Sequence, residues 1–136
     1  LLAGSAIVAS PKIKVYAAEP EIVDDAHRSF TTGELVTSHT PETVCDGLQT
    51  SVGIRNFSIM RDLVTDALLV SEQEIIDAMH RLWARLKQVV NPSSAVILAA
   101  VIRNQKVFAG QKAGLILTGG NVDPNDLPFT SEKNLT

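Results

Sequence analysis

Apolar residues recur along this chain in two rhythms, and the switches between them mark the elements. Residues 1–10 are small and largely apolar and precede Pro11, a pattern that predicts a helix stopped by proline. Ile13 to Ala18 alternates and carries β-branched and aromatic side chains, which predicts a buried strand. Asp24 to Phe30 has helical spacing and stops near Gly33. Glu34 to Thr50 is interrupted by Pro, Gly and Thr, so it reads as a long functional loop with a short helix. Phe57 to Val64 is amphipathic, and Ala67 to Val70 is a short apolar strand. Ser71 and Glu74 form a capping box that opens a helix with Ile75, Ala78, Met79, Leu82, Trp83, Leu86 and Val89 on its apolar face, running to Val90. Pro92 permits a new helix start, and Ala95 to Ile102 is apolar almost all round, as expected of a helix packed on two sides. Ala113 to Leu117 predicts a last strand, and from Pro124 the chain turns polar, as a tail would. Strands alternating with helices give an α/β fold.

Composition narrows the function classes. The 136 residues, 45% of them hydrophobic, suffice for one domain with a real core. A net charge of -3, with both signs interspersed, leaves no basic stripe, so nucleic acid is not an expected partner. Leu1 to Ala9 is apolar but has no basic residues before it and is too short to span a bilayer, so no membrane partner is expected either. Cys45 is the only cysteine, which excludes an internal disulfide and fits a reducing, cytoplasmic setting. His27, His39 and His80 are scattered, and Cys45 is read as packing.

Three places could carry chemistry. Thr118-Gly119-Gly120 sets a hydroxyl beside two glycines after a strand-like run, where open α/β sheets bind ligands; a threonine there can also simply cap its own turn. Glu19 and Asp25, separated by a turn, can offer hard oxygen ligands to a cation, or can cap a helix start. Gly47 lies in the punctuated loop, where a glycine permits close approach to a flat ligand or merely a turn.

The order of short blocks is more specific. Lys14-Val15-Tyr16-Ala17-Ala18-Glu19-Pro20 is followed by Asp24-Asp25-Ala26, by Thr40-Pro41-Glu42-Thr43-Val44-Cys45-Asp46-Gly47, and by Ile59-Met60-Arg61-Asp62-Leu63-Val64-Thr65-Asp66. Val70-Ser71-Glu72-Gln73-Glu74-Ile75, Leu82-Trp83-Ala84-Arg85-Leu86-Lys87, Asn91-Pro92-Ser93 and Leu117-Thr118-Gly119-Gly120-Asn121-Val122-Asp123 complete the series. From Leu1 to about Asp123 this resembles the carboxyl-terminal part of the pyridoxal-phosphate-dependent serine racemase and serine/threonine dehydratase family.

The resemblance implies a partial large domain of the fold-type-II, tryptophan synthase β-like class over residues 1–123, with an open, mostly parallel sheet flanked by helices and a tail over 124–136. It implies a pyridoxal 5'-phosphate site in which the hydroxyl of Thr118, where the family usually has serine, faces the ring nitrogen and leaves it unprotonated. Gly47 and Gly119 would lie beside the cofactor. Asn91 stands where the family has Glu, Ser94 where Gly is usual, and Cys45 where Ala is usual. Glu19, Asp25 and the carbonyl of Val23 match residues that hold Mg²⁺ or Ca²⁺, and Arg85, Lys87 and Asn121 match a nucleotide effector site that would take ATP.

The implied chemistry is racemisation of serine, or ammonia loss from serine, threonine or hydroxyaspartate, through an external aldimine and α-proton abstraction in a homodimer. The family's Schiff-base lysine, in a Ser-x-Lys-x-Arg motif, and its glycine-rich phosphate run precede the position of Leu1. Ser131-Glu132-Lys133 keeps that spacing but lacks the Arg and reads as coincidence. No catalytic residue is therefore assigned, and the chain is expected to be a fragment, inactive alone. The alternative is a non-catalytic remnant that binds or regulates an intact relative.

Overall fold

The computed structural model describes residues 2–9, 12–38 and 42–130. Expectations placed on Leu1, Pro11, His39, Thr40-Pro41 and Ser131-Glu132-Lys133 lie outside the described residues. The elements run α1 (Leu2–Ala9), β1 (Tyr16–Pro20), α2 (Asp25–Thr32), a 3-10 turn (Asp46–Leu48), α3 (Ile54–Leu63) and β2 (Asp66–Val70). They continue with α4 (Glu72–Arg81), a π-helical turn (Leu82–Leu86), α5 (Pro92–Arg103) and α6 (Gln105–Phe108).

β1 and β2 pair in parallel, from Tyr16 opposite Asp66 to Pro20 opposite Val70. A parallel pair needs a long crossover, which the segment holding α2 and α3 supplies. Alternation along each strand then sorts side chains to two faces. Ala17 and Ala67 pack with Ala6, Met60 and Val64 against α1 and α3. Tyr16, Ala18, Leu68 and Val70 face the larger core, built from Ile75, Met79, Ala95 and Ala99 of α4 and α5. The result is a helix–sheet–helix layering with the carboxyl ends of both strands, Pro20 and Val70, on one edge.

Local signals account for several boundaries. The Ser71 hydroxyl accepts the Glu74 N–H at 3.3 Å and the Glu74 carboxylate accepts the Ser71 N–H at 2.8 Å, the expected capping box. Gly33 adopts the left-handed conformation, φ 76°, and donates to the Ser29 carbonyl to end α2. Arg103, in the last turn of α5, pairs with Glu21 at 2.6 Å and Glu74 at 3.0 Å and ties three segments together. Among the described residues, no helix is long and apolar enough to cross a membrane.

Three segments differ from the sequence reading. The helix expected to reach Val90 ends in the π turn at Leu86, because Lys87 takes a left-handed conformation, φ 56°, and Trp83 Nε1 donates to the Val90 carbonyl at 2.9 Å, holding the returning chain. Ala113 to Leu117 forms no strand: among the described residues β1 pairs only with β2, no ladder reaches this segment, and Ile116 is 57% exposed. The polar stretch after Pro124 sends Leu127 into the core and stacks Phe129 on His80 at 4.9 Å, so two apolar residues anchor its described part, 124–130.

Candidate active site

The first turn of α5 gathers the loop segments of the candidate site. Asn91 is its N-cap, with Oδ1 accepting the Ser94 N–H at 3.0 Å, and Pro92 follows at the first helical position. The Thr118–Gly120 turn is clamped onto this start: the Asn91 N–H donates to the Gly119 carbonyl at 3.1 Å and the Gly119 N–H donates to the Ser94 hydroxyl at 2.6 Å. A Cβ on Gly119 would come within 2.7 Å of Asn91 Oδ1, and one on Gly120 within 2.7 Å of the Val89 carbonyl oxygen. The glycines are thus required by close packing, of Gly119 on the Asn91 side chain and of Gly120 on the Val89 backbone. Ser94, at the position where the resemblance makes Gly usual, is buried at 4% exposure and bonded to the turn. The Thr118 side chain is exposed, and among the described residues its hydroxyl makes no hydrogen bond.

Gly47 approaches the same helix start. Its N–H donates to Ser93 Oγ at 3.0 Å and to Asp46 Oδ1 at 2.8 Å, while Ser93 Oγ donates to Asp46 Oδ1 at 3.1 Å. A Cβ on Gly47 would meet Ser93 Oγ at 3.1 Å. Three of the sequence-derived site residues, Gly47, Gly119 and Asn91, therefore converge on the first turn of α5, and Thr118 adjoins them in the chain. Sequence reasoning assigned no role to Glu72, whose carboxylate accepts from Thr43 Oγ1 and the Val44 N–H, both at 2.7 Å. The available signal was a second acid in a first turn whose capping box needs only Glu74. Cys45 is fully buried, and burial together with the nearby Glu72 charge pushes its thiol up to about 12, which fits a packing role.

A second cluster lies at the end of β1. Glu19 and Asp25 are 8% and 3% exposed and share a cavity of about 250 Å³ with Ala17, Gly47, Ser51 and Asn56. Glu19 Oε1 accepts the His27 N–H at 2.5 Å, so the acid that closes β1 caps α2 from outside, where Asp24 makes no side-chain cap. Burial drives the Glu19 carboxyl upward and the Asp25 charge adds to this. The amides of His27 and Ala26 oppose it, leaving a value of about 7. Asp25 Oδ2 accepts the Val52 N–H at 3.3 Å, and Val23 is 1% exposed. His27 Nδ1 lies 2.7 Å from the Ala67 carbonyl, which occupies that nitrogen. Among the described residues, no three His, Cys, Asp or Glu side chains converge on one point, so this pair would need oxygen ligands from backbone or water to complete a cation shell.

The third set is looser. Arg85 is exposed in the π turn and Lys87 lies just beyond it, with Lys87 Nζ donating to the Ala84 carbonyl at 2.7 Å. Asn121 is exposed next to Gly120, and among the described residues no hydrogen bond joins it to Arg85 or Lys87.

Residues 2–119 match the family described as "Pyridoxal-phosphate dependent enzyme". The β-hydroxyaspartate dehydratase of Paracoccus denitrificans (strain Pd 1222) is 42% identical over 120 residues, covering 88% of this chain and 38% of that protein. Among solved structures, maize serine racemase superimposes with a TM-score of 0.86 at 35% identity, covering 92% of this chain and 42% of that one. The serine racemase of Dictyostelium discoideum gives a TM-score of 0.82 at 41% identity, with 90% and 41% coverage. The chain therefore spans about two-fifths of the length of these relatives.

Proposed function

Because this chain belongs to the pyridoxal-phosphate-dependent enzyme family, we propose that the protein it forms part of acts on a small hydroxylated amino acid. The candidates are serine, threonine and 3-hydroxyaspartate. The reaction removes the α-proton and ends either in its return on the opposite face or in loss of the β-hydroxyl, with release of ammonia and a 2-oxo acid. The observation that carries this reading is the Thr118 hydroxyl, free of partners among the described residues on a glycine turn clamped to the start of α5.

The residues fit the cofactor in kind. A hydroxyl without a partner suits a ring nitrogen, and the two glycine-bearing segments, at Gly47 and at Gly119, both lean on the one helix start beside it. Pyridoxal phosphate, when bound, supplies the electron sink that the α-proton's departure requires. Thr118 would hold the nitrogen end without protonating it. Asn91 and Gly119 would fix the turn that presents Thr118, and Gly47 would wall the opposite side. No described lysine hydrogen-bonds to these residues, and the chain taken alone is proposed to be inactive.

Glu19 and Asp25, with the Val23 carbonyl, would hold Mg²⁺ or Ca²⁺; two buried acids facing one cavity favour a cation between them. Arg85, Lys87 and Asn121 would form an ATP effector site in a homodimer. An alternative reading, a non-catalytic remnant that binds an intact relative, is favoured by the exposed apolar Val8, Ile54 and Ile116.

The test uses the whole protein loaded with cofactor and given L-serine, L-threonine and 3-hydroxyaspartate, with D-serine and 2-oxo acid measured. Thr118→Ala is expected to weaken cofactor binding and slow turnover while leaving the fold intact. Thr118→Asp should change the ratio of racemisation to elimination. No turnover of any of the three would overturn the catalytic reading in favour of the remnant.

A further inference from the structure

The loop that brings Gly47 to the start of α5 is suspended from two helix starts, and only one attachment lies beside the site already described. At the far end the Glu72 carboxylate accepts two hydrogen bonds, from Thr43 Oγ1 and the Val44 N–H, each 2.7 Å long. Thr43 Oγ1 in turn accepts the Cys45 N–H at 3.1 Å, so one carboxylate orders three consecutive residues. Cys45 plugs into the main core at 0% exposure, and the Leu48 N–H returns to the Cys45 carbonyl at 2.8 Å to close the short turn. At the near end Ser93 receives Gly47. The loop therefore takes its position from the starts of α4 and α5, and these helices pack on each other.

Glu72 is free for this task because the cap of α4 is complete without it: Ser71 and Glu74 satisfy each other. An anion in the first turn of a helix is stabilised by the unpaired amides there, and hydrogen bonds to a carboxylate are stronger than neutral ones. These contacts bridge 28 and 29 residues of sequence, so local helix propensity does not account for them.

We propose that Glu72 is a positioning residue of the cofactor site: by holding Thr43 and Val44 it fixes where Gly47 stands relative to the Thr118–Gly119 turn. This rests on the cofactor reading above. Asn91 and Ser94 set one wall through α5, and Glu72 sets the other through α4. Loss of the carboxylate frees Thr43 and Val44 and leaves Gly47 held by Ser93 and by the Cys45 anchor only, so the segment that carries Gly47 fluctuates more.

The experiment compares wild type, Glu72→Ala, Glu72→Gln and Glu74→Ala in the whole protein by amide hydrogen exchange without cofactor and by the near-ultraviolet and visible circular dichroism of added pyridoxal phosphate. Glu72→Ala is expected to speed exchange of the peptide spanning 43–48 by about tenfold and to weaken cofactor binding by about tenfold, with Glu72→Gln in between. Glu74→Ala, which removes the capping box, should lower the melting temperature without moving either signal. Thr43→Val removes the hydroxyl alone and carries the same test if Glu72→Ala does not fold. Unchanged exchange at 43–48 in Glu72→Ala, or faster exchange with unchanged cofactor affinity and dichroism, overturns the proposal. Wild type that binds no pyridoxal phosphate would overturn the cofactor reading instead, a result visible before any variant is compared.

Discussion

The Ser94 hydroxyl accepts the Gly119 N–H at 2.6 Å and thereby joins the first turn of α5 to the turn that carries Thr118. No sheet ladder holds this turn among the described residues, so this bond and the Asn91–Gly119 bond do that work. Ser94→Ala should destabilise the chain by about 1 kcal/mol by leaving the Gly119 amide unsatisfied. Gly119→Ala should cost more, about 1–3 kcal/mol, because its Cβ would stand 2.7 Å from Asn91 Oδ1. Urea denaturation of both variants checks the order, and equal stability of wild type and Gly119→Ala would contradict it.

The Glu19 carboxyl makes stability depend on pH in a direction opposite to that of a salt-bridged acid. Its value rises from 4.5 to about 7 on folding, so between these values the folded chain holds a proton that the unfolded chain has lost. Stability then falls as pH rises across this interval, by at most about 3 kcal/mol, and Glu19 contributes no further slope above it. Metal-free melts between about pH 5 and about pH 8 should show the fall, and Glu19→Gln should remove most of it. Added Mg²⁺ or Ca²⁺ should reverse the trend, since a cation recruits the deprotonated acid. A slope that survives Glu19→Gln unchanged would assign the effect to another group.

Cys45 offers a second check on burial. With its thiol pushed up to about 12 by burial and then by Glu72, the native chain should resist iodoacetamide near pH 8, while the urea-unfolded chain should react readily. Mass spectrometry of the two samples separates these outcomes. Rapid native labelling would show that the loop around Cys45 opens.

Local rules made much of the framework legible. Ser71 with Glu74, Pro92 after a polar Asn91, and Gly33 after a short amphipathic run each carry a mechanism that acts within one helical turn. The failures have physical reasons of the same kind. Ala113 to Leu117 looks like a strand, yet a strand exists only through its neighbour, and none lies beside it among the described residues. Lys87 ends a helix in a conformation usually left to glycine, so composition gave no warning. At the candidate site, Thr118, Gly119, Gly47 and Asn91 stood out as motif residues. Glu72, Ser93 and Ser94, which hold them, act across 25 to 46 residues and leave no local pattern.

The segment after Pro124 yields the last prediction. Leu127 is 6% exposed in the main core, and Phe129 lies between the His80 ring, stacked at 4.9 Å, and the Trp83 ring, edge-on at 5.8 Å. Trp83 is the only tryptophan, so its emission reports on the surroundings of this one ring. Phe129→Ala should admit water to the indole, shift its emission to the red, and destabilise the chain by about 1 kcal/mol or more through loss of the aromatic pair. Leu127→Ala should cost about 2–5 kcal/mol, because it empties a site enclosed by the core. Trp83 also donates to the Val90 carbonyl at 2.9 Å just before Asn91, so its ring joins this segment to the start of α5. Removal of Phe129 should therefore loosen amide exchange at residues 88–91 as well as at 124–130. Emission and exchange that match wild type in Phe129→Ala would show that the segment does not dock on Trp83.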